Sequence, residues 1–250
     1  MKVLANWVAK REREGHALQV VSPIHWDWSG EEPYGHFDQR YAPQWRDHEE
    51  PFEVPFIHAA SGDVIVFNGE VYNYRELREE LKGTFSFRTE SDTEVVLAAL
   101  QTWGTAALHR FNGMFAFAFW SNEKREMLLA RDRMGIKPLY FSETSNGLIF
   151  SSEVRSLLAS GWVEKRHDPI ALSDYLRYQT VHAPRTIVQG ISMLPAGHWM
   201  RLQGEETEVS AWWDIASETA KIENNLPRAE RLKRIRSAME RAVELRMRSD

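Results

Sequence analysis

Four short apolar segments separated by polar turns, "MFAFAFW", "EMLLARD", "PLYFSE" and "GLIFSSE", fill residues 114–153 and leave this chain few ways to fold. Each has the length of a strand, and the Ser121-Asn122 and Ser145-Asn146-Gly147 clusters have the chemistry of hairpin connections. Upstream, Val64–Phe67 reads as a further strand, and "YRELREELK" as a short helix beginning after Asn73. "SDTEVVLAALQTW" is a stronger helix: Ser91 and Glu94 have capping-box spacing, and Gly104 supplies the stop. Hairpin strands placed between helices predict an α+β domain built on antiparallel sheet. The alternating aromatics of "MFAFAFW" are expected to pack a sheet face.

Within this frame "DVIVFNGEVYNYRELREEL" raises a question, because the strand runs straight into the polar trio Asn68-Gly69-Glu70. A plain strand-to-helix turn needs no such trio. Asparagine, glycine and a carboxylate together suit a backbone that comes close to a ligand and an amide aimed at developing negative charge. Other function classes are disfavoured. The formal net charge is −5, which gives no polycationic footprint for nucleic acid. With no cysteine there is no disulfide, thiolate metal site or thiol nucleophile. No apolar run approaches membrane-spanning length and "MKVLANWVAKRERE" is too short in its apolar part for a secretory signal, so a cytoplasmic protein is expected. With 43% hydrophobic residues among 250, the chain can bury a full core.

The first 60 residues differ from the rest. They hold five of the ten prolines, five of the nine histidines and four of the ten tryptophans, and no leucine occurs from Gln19 to Glu76. Neither a helical nor an alternating period is visible there. His16, His25, His36, His48 and His58 lack short ligand spacings, so no metal site is assigned. At the other end, residues 216–227 are polar and linker-like. The helix that follows has Leu232, Ile235, Met239 and Ala242 on one stripe, which needs a partner.

Six motifs occur in order: "FNGEVYNYRELREEL", "FRTESDTEVVLAAL", "RFNGMFAFAFW", "LLARDRMGIKPLYF", "LIFSSEVRSLL" and "LPAGHW". Together they resemble the glutamine-hydrolysing domain of asparagine synthetases, a class II glutamine amidotransferase of the N-terminal nucleophile type. The resemblance covers roughly Gly62 to Leu202. It implies a four-layer αββα sandwich of antiparallel sheets, followed here by a C-terminal helix. It also implies the domains: an atypical segment at 1–60, the amidotransferase-like domain at 61–215, and at 216–250 a linker with the first helix of a synthetase domain. Carried over by position, Asn68 and Gly69 would form an oxyanion hole. Glu70 and Asp92 would hold the glutamine substrate, Asp92 mainly through its α-ammonium. Asp92 also suits a helix start without any substrate. Arg131-Asp132-Arg133 is expected to tie loops together and is assigned no chemistry. The family's partners would be glutamine, the synthetase domain and, in the intact protein, a second copy in a homodimer. ATP and Mg belong to the synthetase domain, so no cofactor is expected in this chain.

The sequence also departs from the family. The family's nucleophile is a cysteine that becomes residue one, whereas this chain begins Met-Lys-Val-Leu. No match to the family's carboxylate-clamping arginine is found between Met1 and Ala60, nor any Ser-Gly-Gly-Leu-Asp-Ser pyrophosphate loop. Ser22 could substitute as nucleophile only if cleavage exposed it, and Pro23 makes that awkward. By resemblance this is part of an asparagine synthase (glutamine-hydrolysing), a ligase, catalytically silent as written. The alternatives are a pseudo-amidotransferase module that binds glutamine or a partner, and a β-lactam- or lasso-peptide-forming cyclase relative. The sequence pattern further predicts that residues 1–60 are read in a shifted frame. Sequencing the encoding DNA checks this: a second frame upstream of Gly62 should spell Met-Cys-Gly-Ile, and stop codons in the other frames would overturn it.

Overall fold

The computed structural model describes residues 56–144, 147–204, 206–220 and 226–247, together with the backbone of two short strands, β1 (Val8–Lys10) and β2 (Gln19–Val21). Ser22, the four histidines before His58 and the Ser145-Asn146 turn lie outside the described residues.

The predicted strands and helices from Val64 to Ser151 are present. Strand β4 (Val64–Val71) follows the two-residue β3 (Phe56–Ile57) and leads into α1 (Tyr74–Leu81). Next come α2 (Asp92–Trp103), a 3-10 turn at Gly104–Ala106 and α3 (Ala107–Arg110). Strands β5 (Gly113–Ser121), β6 (Glu126–Arg131), β7 (Tyr140–Thr144) and β8 (Gly147–Ser151) are the four apolar segments. Beyond them lie α4 (Val154–Ala159), α5 (Pro169–Tyr178), β9 (Ser192–Met193), β10 (His198–Gln203), β11 (Glu206–Ala211), α6 (Ile215–Ala220) and α7 (Arg228–Arg246). One antiparallel sheet runs β11-β10-β6-β5-β4-β3, and a second runs β8-β7-β9.

Strand β5 explains why both faces of the large sheet are covered. Its Phe115, Phe117 and Phe119 pack with Leu97, Leu100 and Leu108 of the α2–α3 layer. Ala116 and Ala118 face the other way, among Leu129, Met200, Leu148, Phe150 and Leu194. Large residues therefore fill the gap to the helices, and small ones let the second sheet approach. Ile149, Leu157, Val188 and Ile191 form a third apolar cluster on the far side of the second sheet, with α4. The mixed α+β class with antiparallel sheets and a C-terminal helix is thus the observed one.

Arg131-Asp132-Arg133 is the fastening between these layers. The Asp132 carboxylate is 1% exposed and accepts four backbone N–H groups: Phe115 at 3.2 Å, and Met134, Ile136 and Lys137 at 3.0 Å each. Arg131 donates to the carbonyls of Lys137, Leu194 and Gly135, each at 2.7 Å. Burial pushes the Arg131 guanidinium below its ordinary pKa, and the Asp132 charge opposes that shift. Arg133 donates to the carbonyls of Phe111 and His109 and lies 5.0 Å over the Trp212 ring.

Three sequence expectations need correction. The strand read as Val64–Phe67 does not stop there: β4 continues through Asn68-Gly69-Glu70 to Val71, paired along its length with β5. The capping box is half formed. Ser91 Oγ accepts from Glu94 N–H at 3.3 Å, but the Glu94 carboxylate reaches past the cap to the N–H groups of Arg88 and Thr89 and the Thr89 hydroxyl. Finally, the start of the polar stretch at 216–227 is helical, as part of α6. Leu232, Ile235 and Met239 are all more than half exposed, and Leu245 is the buried residue of α7.

Gly69 shows why the trio needs a glycine. A Cβ there would meet Met114 O at 2.1 Å and Phe115 Cα at 2.6 Å, so the close approach is to β5. Gly113 is its counterpart, where a Cβ would meet Glu70 O at 2.1 Å. Gly69→Ala should force the two strands apart and cost about 3 kcal/mol, read as a lowered urea midpoint.

Candidate functional site

The register of β4 against β5 determines where each candidate group points. Cross-strand partners share a face, and Asn68 stands opposite Ala116, Glu70 opposite Met114. Ala116 belongs to the layer between the sheets, so Asn68 and Glu70 project to that side. Ile65 and Val71, of the other parity, join the helix-side core.

Gly69 contributes its backbone instead. Opposite it, Phe115 gives both main-chain groups to Asp132: its N–H donates to the carboxylate at 3.2 Å, and its carbonyl accepts the Asp132 N–H at 2.8 Å. Gly69 and Phe115 therefore form a non-hydrogen-bonded pair, the closely spaced kind in an antiparallel ladder. That is why a Cβ at Gly69 has no room. It also means that the Gly69 N–H points away from β5, to the outer edge of β4. Val71, two residues on, shows where that edge leads: its N–H donates to Asp92 Oδ2 at 3.0 Å. Asp92 is the first residue of α2, is 7% exposed, and so brings a helix N-terminus to the same edge.

One polar atom here is buried without a partner: Asn68 Nδ2 is out of solvent contact and makes no hydrogen bond, whereas the buried Tyr72 hydroxyl has the Arg246 guanidinium beside it. An unmade hydrogen bond at a buried group costs about 1–3 kcal/mol, so such atoms call for an explanation in a ligand or a catalytic role. Tyr72 was not singled out in the sequence. The alternation that places Asn68 and Glu70 extends to it, since its N–H continues the ladder to Asn112 O at 2.8 Å. The Glu70 carboxylate forms no hydrogen bond or ion pair among the described residues.

Asn68, Gly69 and Glu70 are thus consecutive on β4, with Asn68 and Glu70 on the face toward the second sheet, while Asp92 reaches the outer edge of the same strand from α2. His58 is accounted for otherwise, its ring 4.8 Å from Phe85 and its Nδ1 2.8 Å from Ser61 Oγ. Among the described residues no group of three or more His, Asp or Glu side chains is placed to hold a metal ion. No described helix is long and apolar enough to cross a membrane.

Residues 46–213, more than half of the chain, match the family described as "Glutamine amidotransferase domain". The chain belongs to that family, and its domain is a class II glutamine amidotransferase. Its relatives include asparagine synthetases. Asparagine synthetase [glutamine-hydrolyzing] 1 of Bacillus subtilis is 35% identical over 74% of this chain and 29% of its own length. A Mycobacterium bovis protein described provisionally as a glutamine-hydrolysing asparagine synthetase is 40% identical over 57% of this chain and 23% of its own. The chain therefore spans about a quarter of the length of the curated relatives it matches. Among solved structures, a glutamine phosphoribosylpyrophosphate amidotransferase from B. subtilis matches at TM-score 0.45 and 19% identity, over 63% of this chain and 31% of that one.

Asn68 and Asp92 should separate in stability measurements. Asn68→Ala removes an unpartnered buried amide and should leave the thermal midpoint unchanged or raised. Asp92→Ala strands the Val71 N–H and should lower stability by about 1–2 kcal/mol.

Proposed function

We propose that this chain is the glutamine-binding amidotransferase domain of an asparagine-synthetase-type protein, and that as written it binds glutamine without hydrolysing it. The observation that carries the reading is the buried, unpartnered Asn68 Nδ2, next in the chain to a Gly69 N–H that points to the outer edge of β4. Two donors so arranged suit a carbonyl oxygen that gains negative charge. One donor of this kind contributes about 3 kcal/mol to lowering an acyl-transfer barrier. Glu70, next along β4, and Asp92, at the outer edge of that strand, suit an α-ammonium group. A γ-carboxamide at one end and an ammonium at the other describe glutamine. The order helix layer, sheet, sheet, helix supports the four-layer αββα sandwich of N-terminal nucleophile amidotransferases.

The missing element is the attacking group. No cysteine is present anywhere in the chain, so no thiolate adds to the carboxamide and the two donors have no tetrahedral oxyanion to receive. In a complete protein of this type, ammonia released from glutamine would amidate an aspartate carboxylate activated as an acyl-adenylate. ATP and Mg would then be held by the synthetase domain, outside this chain.

The purified chain should release no glutamate from glutamine above the buffer blank, in an enzyme-coupled glutamate assay. Release that Asn68→Ala abolished would overturn the silent-domain reading.

A further inference from the structure

We propose that Glu94 is a positioning residue for ammonium recognition: by pinning the Arg88-Thr89 backbone it fixes where α2 begins, and with it the Asp92 carboxylate. The inference rests on the glutamine reading above. Glu94 is 0% exposed, and a buried carboxylate is tolerated only where hydrogen bonds replace its water. The donors that do so are neutral and belong to one short segment: Arg88 N–H at 2.8 Å, Thr89 N–H at 2.7 Å and the Thr89 hydroxyl at 2.8 Å. A residue serving only as a helix cap would reach back to the Ser91 N–H, as in a capping box. Glu94 passes that group by, and the Ser91 N–H donates to Thr89 Oγ1 at 3.3 Å instead.

These bonds close residues 88–94 into a ring with Asp92 inside it. Ser91 Oγ accepts the Glu94 N–H at 3.3 Å, Ser91 leads back to Thr89, and Thr89 returns to the Glu94 carboxylate. The same segment is gripped from α1. Arg78 donates to Thr89 O at 2.6 Å, pairs with Glu90 at 3.1 Å and lies 4.4 Å over the Phe87 ring. Asp92 has a short side chain with two torsions, so the backbone at the start of α2 sets where its oxygens lie. Oδ2 takes the Val71 N–H at 3.0 Å, and the path of the ring decides how the carboxylate is presented beyond that bond. A carboxylate suits the anchoring task because hydrogen bonds to an ionised acceptor are about twice as strong as neutral ones. Gln at this position keeps the shape but offers one acceptor oxygen, and its NH2 group would face a donor.

The test is a ligand-observed NMR titration of the 250-residue chain with L-glutamine and with glutaramate, the same molecule with hydrogen in place of the α-ammonium. Wild type should prefer glutamine. Glu94→Gln should weaken glutamine about tenfold and leave glutaramate unchanged, so that the preference is lost, while Asn68→Ala weakens both ligands alike. Thr89→Val removes one bond of the ring without touching the buried carboxylate, and should weaken glutamine alone by about threefold. It carries the decision if Glu94→Gln does not fold. A preference for glutamine that survives these substitutions overturns the positioning role and leaves the glutamine reading standing. So does an equal loss of both ligands with a lowered thermal midpoint, which marks Glu94 as structural. A wild type that binds both ligands equally has no ammonium contact to position and overturns the role as well. A wild-type chain that binds neither ligand overturns the glutamine reading and the positioning role with it.

Discussion

The Asp132 carboxylate is the point on which the arrangement of this domain turns. A charge with 1% exposure is tolerated only where hydrogen bonds replace its water, and here four backbone N–H groups do so. Those donors come from β5 and from the loop that follows β6, so satisfying one charge determines the path of both. Arg131 continues the fastening by donating to the loop carbonyls and to Leu194, just after β9. The large sheet is thereby tied to the second sheet through polar groups, at a junction whose remaining packing is non-directional. The adjacent residues, one acid and one base, neutralise each other in the interior, which lowers the desolvation cost of both.

The consequence reaches the candidate site through one strand. Because Phe115 gives its backbone groups to Asp132, it has none for Gly69, and the β4–β5 pair closes at that point with glycine on β4 and, two residues away, glycine on β5. The Gly69 N–H is turned to the outer edge by the same event. A structural requirement and a chemical opportunity therefore coincide at one residue. The glycine is present because two backbones crowd together, and the donor it exposes follows from that crowding. Asn68 shows the opposite economy. Its unpartnered Nδ2 lowers stability where it stands, and the aromatic packing of Phe115 and Phe117 on the other face of the sheet offsets the loss.

Much of the fold was legible in the sequence. The hairpin chemistry at Ser121-Asn122, the start of α1 after Asn73 and the Gly104 stop of α2 all depend on neighbours within a few residues, and local signals report such neighbours faithfully. The same logic makes the miss at α5 instructive. Asp168 caps that helix through Ile170 and Ala171, and Pro169 opens it, yet Ile170, Leu172, Tyr175 and Leu176 are exposed, so no clean apolar stripe advertises it. Asn68, Gly69, Glu70 and Asp92 were recognisable as a set only through the resemblance of their motifs to the amidotransferase family.

What spacing did not contain was their geometry. The strand read as ending at Phe67 because the next three residues are polar, and it persists because β5 supplies partners 42 or more residues away. Glu94 left its expected cap because the loop at Arg88-Thr89 folds back to it. Tyr72 looked like one more aromatic until α7 placed the Arg246 guanidinium over its ring. By itself the sequence determined the elements, the family and the absence of a thiol, since those follow from residue identity and local pattern. Only the tertiary structure decided which donors are left unpaired and which way they point, because a hydrogen bond's availability depends on what every distant partner has already taken.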